Sequence, residues 1–371
     1  MSGLDAAVGG IAVDSSNNIA LTGSFRKSIN LGLDTFYAQT VSSGVTTSGK
    51  KMFVAKYDSD GHHLWSKAMG DPANGAFGSK VIFDSAGSII VSGDFAASID
   101  FGLGALPGNG PSNDTVVAKY SSNGVPLWSK AFGSTSGEFN YGLAVDPSGN
   151  VYVGGSANGG ILFGTYQAPY GGGTTDLYLA KLAAQDGQFI WTKQMGGVGQ
   201  TAITALAMSP SGQLVVSGIV NYGTVNLDGV MIGGASDKKA MFIAGYTQAG
   251  VIVFTKNYIS NDTGGAGPRI MAIDSAGNIE LFGNADGGFD FGCGASYNPR
   301  GFLVKLSPNG DHCFWNQNMN SYIPALSATA MAIDAAGNTV IGGAFNQSFT
   351  LGTTTLSQSA VRSAFIGMFS P

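Results

Sequence analysis

Side chains able to carry acid–base chemistry are few in this sequence of 371 residues. The chain has two glutamates, Glu138 and Glu280, and three histidines, His62, His63 and His312. Glycoside chemistry needs two carboxyl groups facing each other across a cleft, and a general base needs a partner within hydrogen-bond reach. Glu138 falls in a predicted loop beside aromatic residues, so a ligand-binding role is predicted for it. The histidines fall in predicted turns, where solvated side chains are expected.

Metal and cofactor motifs are not evident in the sequence. The turn Asp58-Ser59-Asp60-Gly61 resembles a calcium loop, but the closing glutamate of an EF-hand is missing. Asp and Asn in such turns are explained by side-chain bonds to backbone N–H groups two residues on. The glycines do not form a phosphate-binding loop, and no C-x-x-C pair suggests zinc. We therefore expect no metal and no cofactor.

The two cysteines, Cys293 and Cys313, are 20 residues apart. In an oxidising compartment they could form a disulfide, whereas in a reducing one they would be buried free thiols. Two cysteines do not make a disulfide framework, so the sequence leaves both alternatives open.

Composition excludes several classes of protein. The chain is 44% hydrophobic but only 11% charged, has 58 glycines, and carries a net charge of −5. The apolar fraction is sufficient for a core and argues against disorder. The few, scattered cations argue against a nucleic-acid partner. No run of 18 apolar residues occurs, so no membrane insertion is expected.

An internal repeat sets the architecture. Segments resembling GIAVDSSNNIALTGSF recur six times at a spacing of 60 to 70 residues. The turn position of the repeat is occupied by Asp14, Asp84, Asp146, Ser209, Asp274 and Asp334. A glycine follows nine residues later in every copy, at Gly23, Gly93, Gly155, Gly218, Gly283 and Gly343. This fixed offset indicates one structural unit repeated six times.

Each unit is predicted to contain four short strands, because apolar and small or polar residues alternate between tight turn signals. Four antiparallel strands repeated six times predict an all-β fold, a single six-bladed β-propeller domain over residues 1–371. The predicted repeats are 3–70, 71–133, 134–196, 197–258, 259–319 and 320–371. The four tryptophans share one position on the fourth strand and are expected to pack between blades: Trp65, Trp128, Trp191 and Trp315. Lysines two residues further on would protect the outer strand edge against pairing with other chains: Lys67, Lys130, Lys193 and Lys256.

The sixth unit ends at AFIGMFSP and lacks the fourth-strand segment. Two alternatives follow. The last blade has three strands, or a strand upstream of the first unit closes it, in which case the chain would be a processed or trimmed product.

The repeat resembles the SBBP-type β-propeller repeat of bacterial secreted and surface proteins. The resemblance rests on D-x-x-G-N turns, on F-V-A-K-Y and W-S-K strands, and on an I-D-F-G-like step at SIDFG, SINLG and GFDFG. It covers nearly the whole chain and implies an extracellular, cell-surface or periplasmic location. The family name implies seven blades, whereas this sequence carries six copies.

The predicted binding surface lies on the loops of variable length. Turns joining strands one to two and three to four have nearly constant lengths, whereas the other connections differ widely. Binding usually resides on irregular loops, and aromatic residues among Gly, Ser and Asn suit sugars or protein surfaces. The alternative is that these rings fold back and cover the mouth of the propeller. The candidate ligand-binding residues are Phe77, Glu138, Phe139, Tyr141, Tyr166, Tyr170, Tyr297, Arg300 and Tyr322.

The sequence leaves three functions open, of which the third is a purely structural array element with no clustered polar site and no ligand. The first is a non-catalytic binding or scaffold module that recognises a protein or a glycan outside the cytoplasm. The second is a propeller-type polysaccharide lyase or glycosidase, which would need clustered acids and cations from different units. The sequence favours the binding module, but a fold by itself does not identify a function.

Overall fold

The computed structural model describes residues 6–42, 45–71, 73–235, 237–260, 267–284, 288–294, 301–319, 326–345, 348–351, 354–357 and 363–370. All regular secondary structure in these ranges is β-strand. None of these segments forms a helix of the length and hydrophobicity needed to cross a membrane.

The chain forms two compact units. The first, Met1–Tyr170 with Tyr178–Gln194, contains blades 1, 2 and 3. The second, Gly171–Leu177 with Met195–Pro371, contains blades 4, 5 and 6. In every blade the strands pair antiparallel in chain order, so a blade runs from its first strand to its last.

The strands of the first three blades follow one pattern. Blade 1 consists of Ala6–Val13, Ile19–Phe25, Lys51–Tyr57 and His63–Met69. Blade 2 consists of Ala76–Phe83, Ile89–Phe95, Asp114–Tyr120 and Pro126–Phe132. Blade 3 consists of Glu138–Val145, Val151–Ala157, Asp176–Leu182 and Phe189–Met195.

The other three blades repeat the pattern, with one strand fewer in the last. Blade 4 consists of Gln200–Met208, Leu214–Asn221, Lys239–Tyr246 and Ile252–Ile259. Blade 5 consists of Pro268–Ile273, Ile279–Gly283, Gly301–Leu306 and Cys313–Met319. Blade 6 consists of Leu326–Ile333, Thr339–Phe345 and Ser363–Phe369. The prediction of an all-β chain with six propeller blades is confirmed, and the sixth blade has three strands in the described residues.

Asx turns join the first and second strands, as the D-x-x-G-N motif predicts. In blade 3, Asp146 Oδ1 accepts hydrogen bonds from the N–H groups of Ser148 and Asn150 at 3.0 and 2.9 Å. Gly149 has a φ of +82°, a left-handed conformation that favours glycine. The turn thus satisfies its own polar groups and keeps a constant length.

The first strand of every blade contains a β-bulge at the same position. The register skips one residue between Val8 and Gly10 in blade 1 and between Asn140 and Gly142 in blade 3. The extra residue of a bulge has no partner in the hydrogen-bond ladder, and its side chain points in a different direction from that in a regular strand. The bulged residues are Gly9, Ser79, Tyr141, Thr204, Arg269 and Thr329.

Small two-stranded hairpins occupy most of the connections between second and third strands. In blade 2 this hairpin pairs Ser98–Asp100 with Ala105–Pro107, and Ile99 and Phe101 are buried in the blade core. The apolar residues of the I-D-F-G step therefore fold back onto the blade. The other hairpins are Ser28–Asn30 with Thr35–Tyr37, Gln39–Ser42 with Val45–Ser48, Leu162–Phe163 with Tyr166–Gln167, Thr224–Leu227 with Val230–Gly233, and Phe349–Leu351 with Thr354–Leu356.

Tryptophans connect neighbouring blades in the first unit, as predicted. Trp65 Nε1 of blade 1 donates to the carbonyl of Ser122 in blade 2 at 3.0 Å. Trp128 of blade 2 repeats this contact with Ala184 of blade 3 at 3.1 Å. Each acceptor lies in the turn between third and fourth strands, so one indole position fixes two successive blade contacts.

Candidate functional site

The contact between blades 2 and 3 carries a buried polar cluster: Asp94, Asp114, Glu138 and Asn140. At the contact between blades 1 and 2, the strand register places Ser24, Lys51, Ala76 and Gly78 at the corresponding positions. In the first unit, only the contact between blades 2 and 3 is therefore acidic among the described residues. Four substitutions at matched positions make this contact the first candidate for a specialised role.

Two carboxyl groups of the cluster lie against each other. Both approach Gly133 closely. A Cβ atom placed on this glycine would fall 1.8 Å from Asp114 Oδ1 and 2.5 Å from Glu138 Oε2. The two oxygens are thus no further apart than the sum of these distances. Burial raises the pKa of Glu138 to about 7, against hydrogen bonds from Ser134 and with a further contribution from Asp114. Burial also raises the pKa of Asp114, although Asn109 donates to it.

The third carboxyl group, on Asp94, reaches from blade 2 into blade 3. Its oxygens accept from the N–H of Asn140 at 2.9 Å and from the Ser79 hydroxyl at 3.3 Å. Burial raises the pKa of Asp94 to about 7, outweighing these hydrogen bonds. Ser92 donates to the Asn140 side-chain oxygen at 2.6 Å and completes the network.

A pocket of about 340 Å³ lies beside the Asp114–Glu138 pair. Its wall includes Asn109, which donates to Asp114, and Ser134, which donates to Glu138 through its N–H and its hydroxyl at 2.8 and 2.5 Å. None of its lining residues carries a formal charge. The lining residues are Asn109, Gly133, Ser134, Thr135, Gly159, Gly160, Leu162 and Gln167. The pocket therefore suits a neutral or hydroxyl-rich group, with two carboxyl groups directly behind its wall.

The predicted site residues near blades 2 and 3 separate into exposed and buried groups. Phe139 and Tyr141 stack with ring centroids 6.4 Å apart, and both are partly exposed on the first strand of blade 3. Phe77 occupies the position of Phe139 on blade 2, and the Lys50 ammonium lies 4.9 Å from its ring centroid. Glu138, in contrast, is fully buried.

Two of the tyrosines predicted to bind a ligand lie close in the sequence to the pocket residue Gln167. Tyr166 is 55% exposed and precedes the pocket residue Gln167, and Tyr170 is 38% exposed. The remaining three predicted residues, Tyr297, Arg300 and Tyr322, lie outside the described residues.

The burial of Glu138 limits its chemistry. In a glycosidase two carboxyl groups flank the substrate bond and reach it from a cleft. Asp114 and Glu138 are both fully buried and close together, which leaves no room for a sugar between them. They are two neighbouring buried carboxyl groups behind the pocket wall.

The sequence analysis missed a buried ion pair that recurs in three blades. The aspartate of the first turn pairs with the lysine of the third strand: Asp84 with Lys119 at 2.9 Å, Asp146 with Lys181 at 3.1 Å, and Asp274 with Lys305 at 2.9 Å. Burial opposes ionisation of these aspartates, but hydrogen bonds from the turn and the lysine lower their pKa overall. In blade 4 both partners are replaced, by Ser209 and Gly245. The joint replacement in blade 4 is a sequence signal for the pair, although blade 6 keeps Asp334 with Met368 at the lysine position.

His63 differs from the solvated turn residue that was expected. Its side chain is 6% exposed, and its Nε2 lies 2.8 Å from Ser66 Oγ, which donates to Asp34 at 3.0 Å. His63 Nδ1 is buried and has no hydrogen-bond partner among the described residues. Without an acceptor, a proton on Nδ1 would be costly, so Nε2 carries the proton and donates to Ser66. This tautomer does not activate Ser66 as a nucleophile.

One exposed turn has the composition of a metal site. Asp58, Asp60 and His62 offer ligand atoms within 4.8 Å of one another. The Asp58 oxygens already accept from the N–H groups of Asp60 and His62 and contact the His62 ring. The turn is thus explained by its own hydrogen bonds.

The two cysteines are joined in a disulfide, which decides the alternative left open by the sequence. Cys313 begins the fourth strand of blade 5, and Cys293 lies in the connection between its second and third strands. The bond therefore fastens that connection to the outer strand.

The comparisons with known proteins identify the repeat but no activity. Residues 128–163 match the model of the SBBP β-propeller repeat. No curated protein matches the sequence significantly. Among solved structures, a protein of unknown function from Dyadobacter fermentans is similar at 10% identity and a TM-score of 0.47, over 93% of this chain and 92% of that one.

Two enzymes of solved structure have similar values. An ulvan lyase shares 12% identity at a TM-score of 0.45, over 97% of this chain and 77% of that one. A luciferin-regenerating enzyme shares 12% identity at a TM-score of 0.40, over 92% of this chain and 85% of that one. At these identities and TM-scores the likeness says nothing about a substrate. The matching segment contains Glu138, Phe139 and Tyr141, and the resemblance to the repeat is confirmed: the chain carries the SBBP-type β-propeller repeat.

Proposed function

We propose that this chain is an extracellular or cell-surface binding module that recognises a glycan at the contact between blades 2 and 3. The observation that carries the proposal is the pocket bounded by Asn109, Ser134 and Gln167. Its uncharged wall of amides, a hydroxyl and glycine backbone matches the hydroxyl groups of a sugar. We call it the blade 2–3 pocket.

Exposed aromatic residues nearby support sugar binding over a flat protein contact. Tyr166 is 55% exposed and precedes the pocket residue Gln167 in the sequence, although it does not itself line the pocket. Aromatic faces stack on the apolar faces of sugar rings, while the hydroxyl groups bind polar side chains. Phe139 and Tyr141 add a stacked pair on the first strand of blade 3.

The proposed location is supported by covalent chemistry and by composition. The Cys293–Cys313 disulfide is typical of proteins that mature in an oxidising compartment. The bacterial secreted and surface proteins that carry this repeat point in the same direction.

A lyase or glycosidase is the second candidate, and no specific observation favours it. Its proposed acid, Glu138, is fully buried beside Asp114. Catalysis would therefore need groups other than this pair.

Glycan binding is tested by titrating the purified chain with oligosaccharides selected on a glycan array. We expect Tyr166→Ala and Gln167→Ala each to weaken binding about tenfold, because each removes a contact worth roughly 1.4 kcal/mol. The matched control is Tyr37→Ala, since Tyr37 lies on the corresponding hairpin of blade 1 and is 66% exposed, against 55% for Tyr166. Equal losses for Tyr37→Ala and Tyr166→Ala, or no glycan bound at millimolar concentration, would contradict the proposal.

A further inference from the structure

The blade 2–3 pocket has an unusual hydrogen-bond polarity. The Asn109 N–H and its side-chain Nδ2 both donate to the Asp114 carboxylate, at 2.6 and 3.3 Å. Since a carboxylate only accepts, the orientation of the Asn109 amide is set, and its oxygen is left for the pocket. No described residue donates to that oxygen.

Two further wall residues direct their donors away from the pocket in the same way. Gln167 Nε2 donates to the carbonyls of Gly160 and Ala168 at 2.6 and 3.4 Å. Carbonyls only accept, so the Gln167 oxygen is the free end of this amide. Ser134 directs both its N–H and its hydroxyl proton to Glu138. The Ser134 hydroxyl oxygen already accepts from the Ser136 N–H at 3.0 Å. Asn109 and Gln167 are thus the two wall side chains that offer an acceptor and have their donors occupied.

Two carboxyl groups lie directly behind this wall. Asp114 and Glu138 are held by the same Asn109 and Ser134 that line the pocket, and no cation pairs with either carboxyl group among the described residues. An acceptor-lined wall in front of two carboxyl groups attracts positive charge and repels anions.

We propose, building on the glycan-binding function, that the blade 2–3 pocket selects amino sugars with a free, protonated amine and rejects uronate or sulfated sugars. An ammonium group supplies donors to the acceptors of Asn109 and Gln167. Its charge offsets the ionisation of the carboxyl pair, which no described group of the protein does. The exposed Tyr166 ring adds a face for a cation and a sugar.

The proposal is tested with three tetrasaccharides of equal length, measured by calorimetry at about pH 7, where the amines of glucosamine are still mostly protonated and Glu138 is about half ionised. The probe is β-1,4-linked glucosamine, its control is the fully N-acetylated form, and the anionic competitor is a hyaluronan fragment. We expect the glucosamine form to bind at least tenfold more tightly than its N-acetylated form, with no binding of the hyaluronan fragment. Added salt should weaken the first interaction most.

A charge variant separates electrostatics from shape. Glu138→Gln keeps the side-chain size behind the wall and removes one carboxyl group. We expect it to weaken glucosamine binding about fivefold more than it weakens binding of the N-acetylated form. Asp100→Asn is the matched control, because Asp100 carries the same charge on the blade 2 hairpin and does not line this pocket.

The outcomes distinguish this inference from the proposed function. Equal affinity for the glucosamine and N-acetylated forms, or a preference for the hyaluronan fragment, overturns the selection of amines and leaves glycan binding standing. If no tetrasaccharide binds at millimolar concentration, glycan binding at this pocket fails and the selectivity fails with it.

Discussion

At Glu138, burial and hydrogen bonding act on the carboxyl group in opposite directions. Burial has the larger effect and raises the pKa from 4.5 to about 7, with Ser134 opposing it and Asp114 adding to it. Between these two values the folded protein holds a proton that the unfolded chain releases. The contribution of Glu138 to stability is therefore greatest below about pH 4.5, falls as the pH rises, and levels off above about pH 7. Asp94 acts in the same direction.

Glu138→Gln tests this pH dependence. We expect the variant to unfold with a free energy higher by about 2 kcal/mol than the wild type at about pH 8, and nearly unchanged at about pH 4. The amide remains neutral at both pH values, which removes the cost of ionising a buried group. Urea unfolding at the two pH values measures the difference.

The other glutamate provides the control. Glu280 is also fully buried, but its Oε1 lies 3.2 Å from the Lys305 ammonium. Glu280→Gln should therefore destabilise the protein at about pH 8, because it removes a partner of a buried cation. If both variants destabilise alike, the carboxyl group of Glu138 is not the source of the pH dependence.

At the scale of strands and turns, the recurring Asp–Lys pair joins the first turn of a blade to its third strand. The aspartate closes the turn between the first and second strands, and the lysine lies on the third strand. Both side chains of the Asp146–Lys181 pair are buried. A buried pair costs desolvation, so losing one partner is far worse than losing both. Blade 4 has lost both, at Ser209 and Gly245.

The pair is tested in blade 3. Lys181→Met should reduce the free energy of unfolding by about 3 kcal/mol, because it leaves the Asp146 charge buried without its cation. Adding Asp146→Ser, the residue that blade 4 carries at this position, should recover about half of the loss. Denaturant unfolding of the two single variants and the double variant gives the coupling energy. Additive losses would contradict the ionic account.

The sequence predicted the blade strands well and the smaller elements poorly. Strands of seven or eight residues alternate long enough to be recognised, and the constant Asp-to-Gly offset locates them. The Ser98–Asp100 hairpin strand has only three residues, and its buried Ile99 and Phe101 read equally well as loop residues. The turn aspartates were explained by local hydrogen bonds, which hid their long-range partners on the third strand.

The candidate site was predicted in part for a related reason. Glu138 stood out by its rarity, and Tyr166 by its loop. The burial of Glu138 and its neighbours Asp94 and Asp114 depend on how blade 3 packs against blade 2, across tens of residues of sequence. A single repeat contains no information on such contacts. A comparison of matched positions in successive blades does contain this information. Among the described residues of blades 1 to 3, only the contact between blades 2 and 3 has acidic residues on both sides.

For the molecule as a whole, the Cys293–Cys313 disulfide is the covalent link that its redox environment controls. Replacing both cysteines by serine should lower the free energy of unfolding by about 3 kcal/mol, as expected for closing a loop of this length. Thermal unfolding with and without a reductant measures the effect. The wild type should become less stable with reductant, and the double variant should not respond. An unresponsive wild type would contradict a structural role for the bond.

The bulge in every first strand has a practical consequence. Because the bulged residue stands outside the ladder, its side chain can be exchanged without shifting the strand register. The chain already carries five different residue types there, at Gly9, Ser79, Tyr141, Thr204, Arg269 and Thr329. At Gly9 a Cβ atom would fall 2.0 Å from the Gly78 carbonyl oxygen, which excludes a side chain there. Ser79, Tyr141, Thr204 and Arg269 remain as a natural set for randomised libraries, in which new affinities are selected on a scaffold whose backbone stays the same.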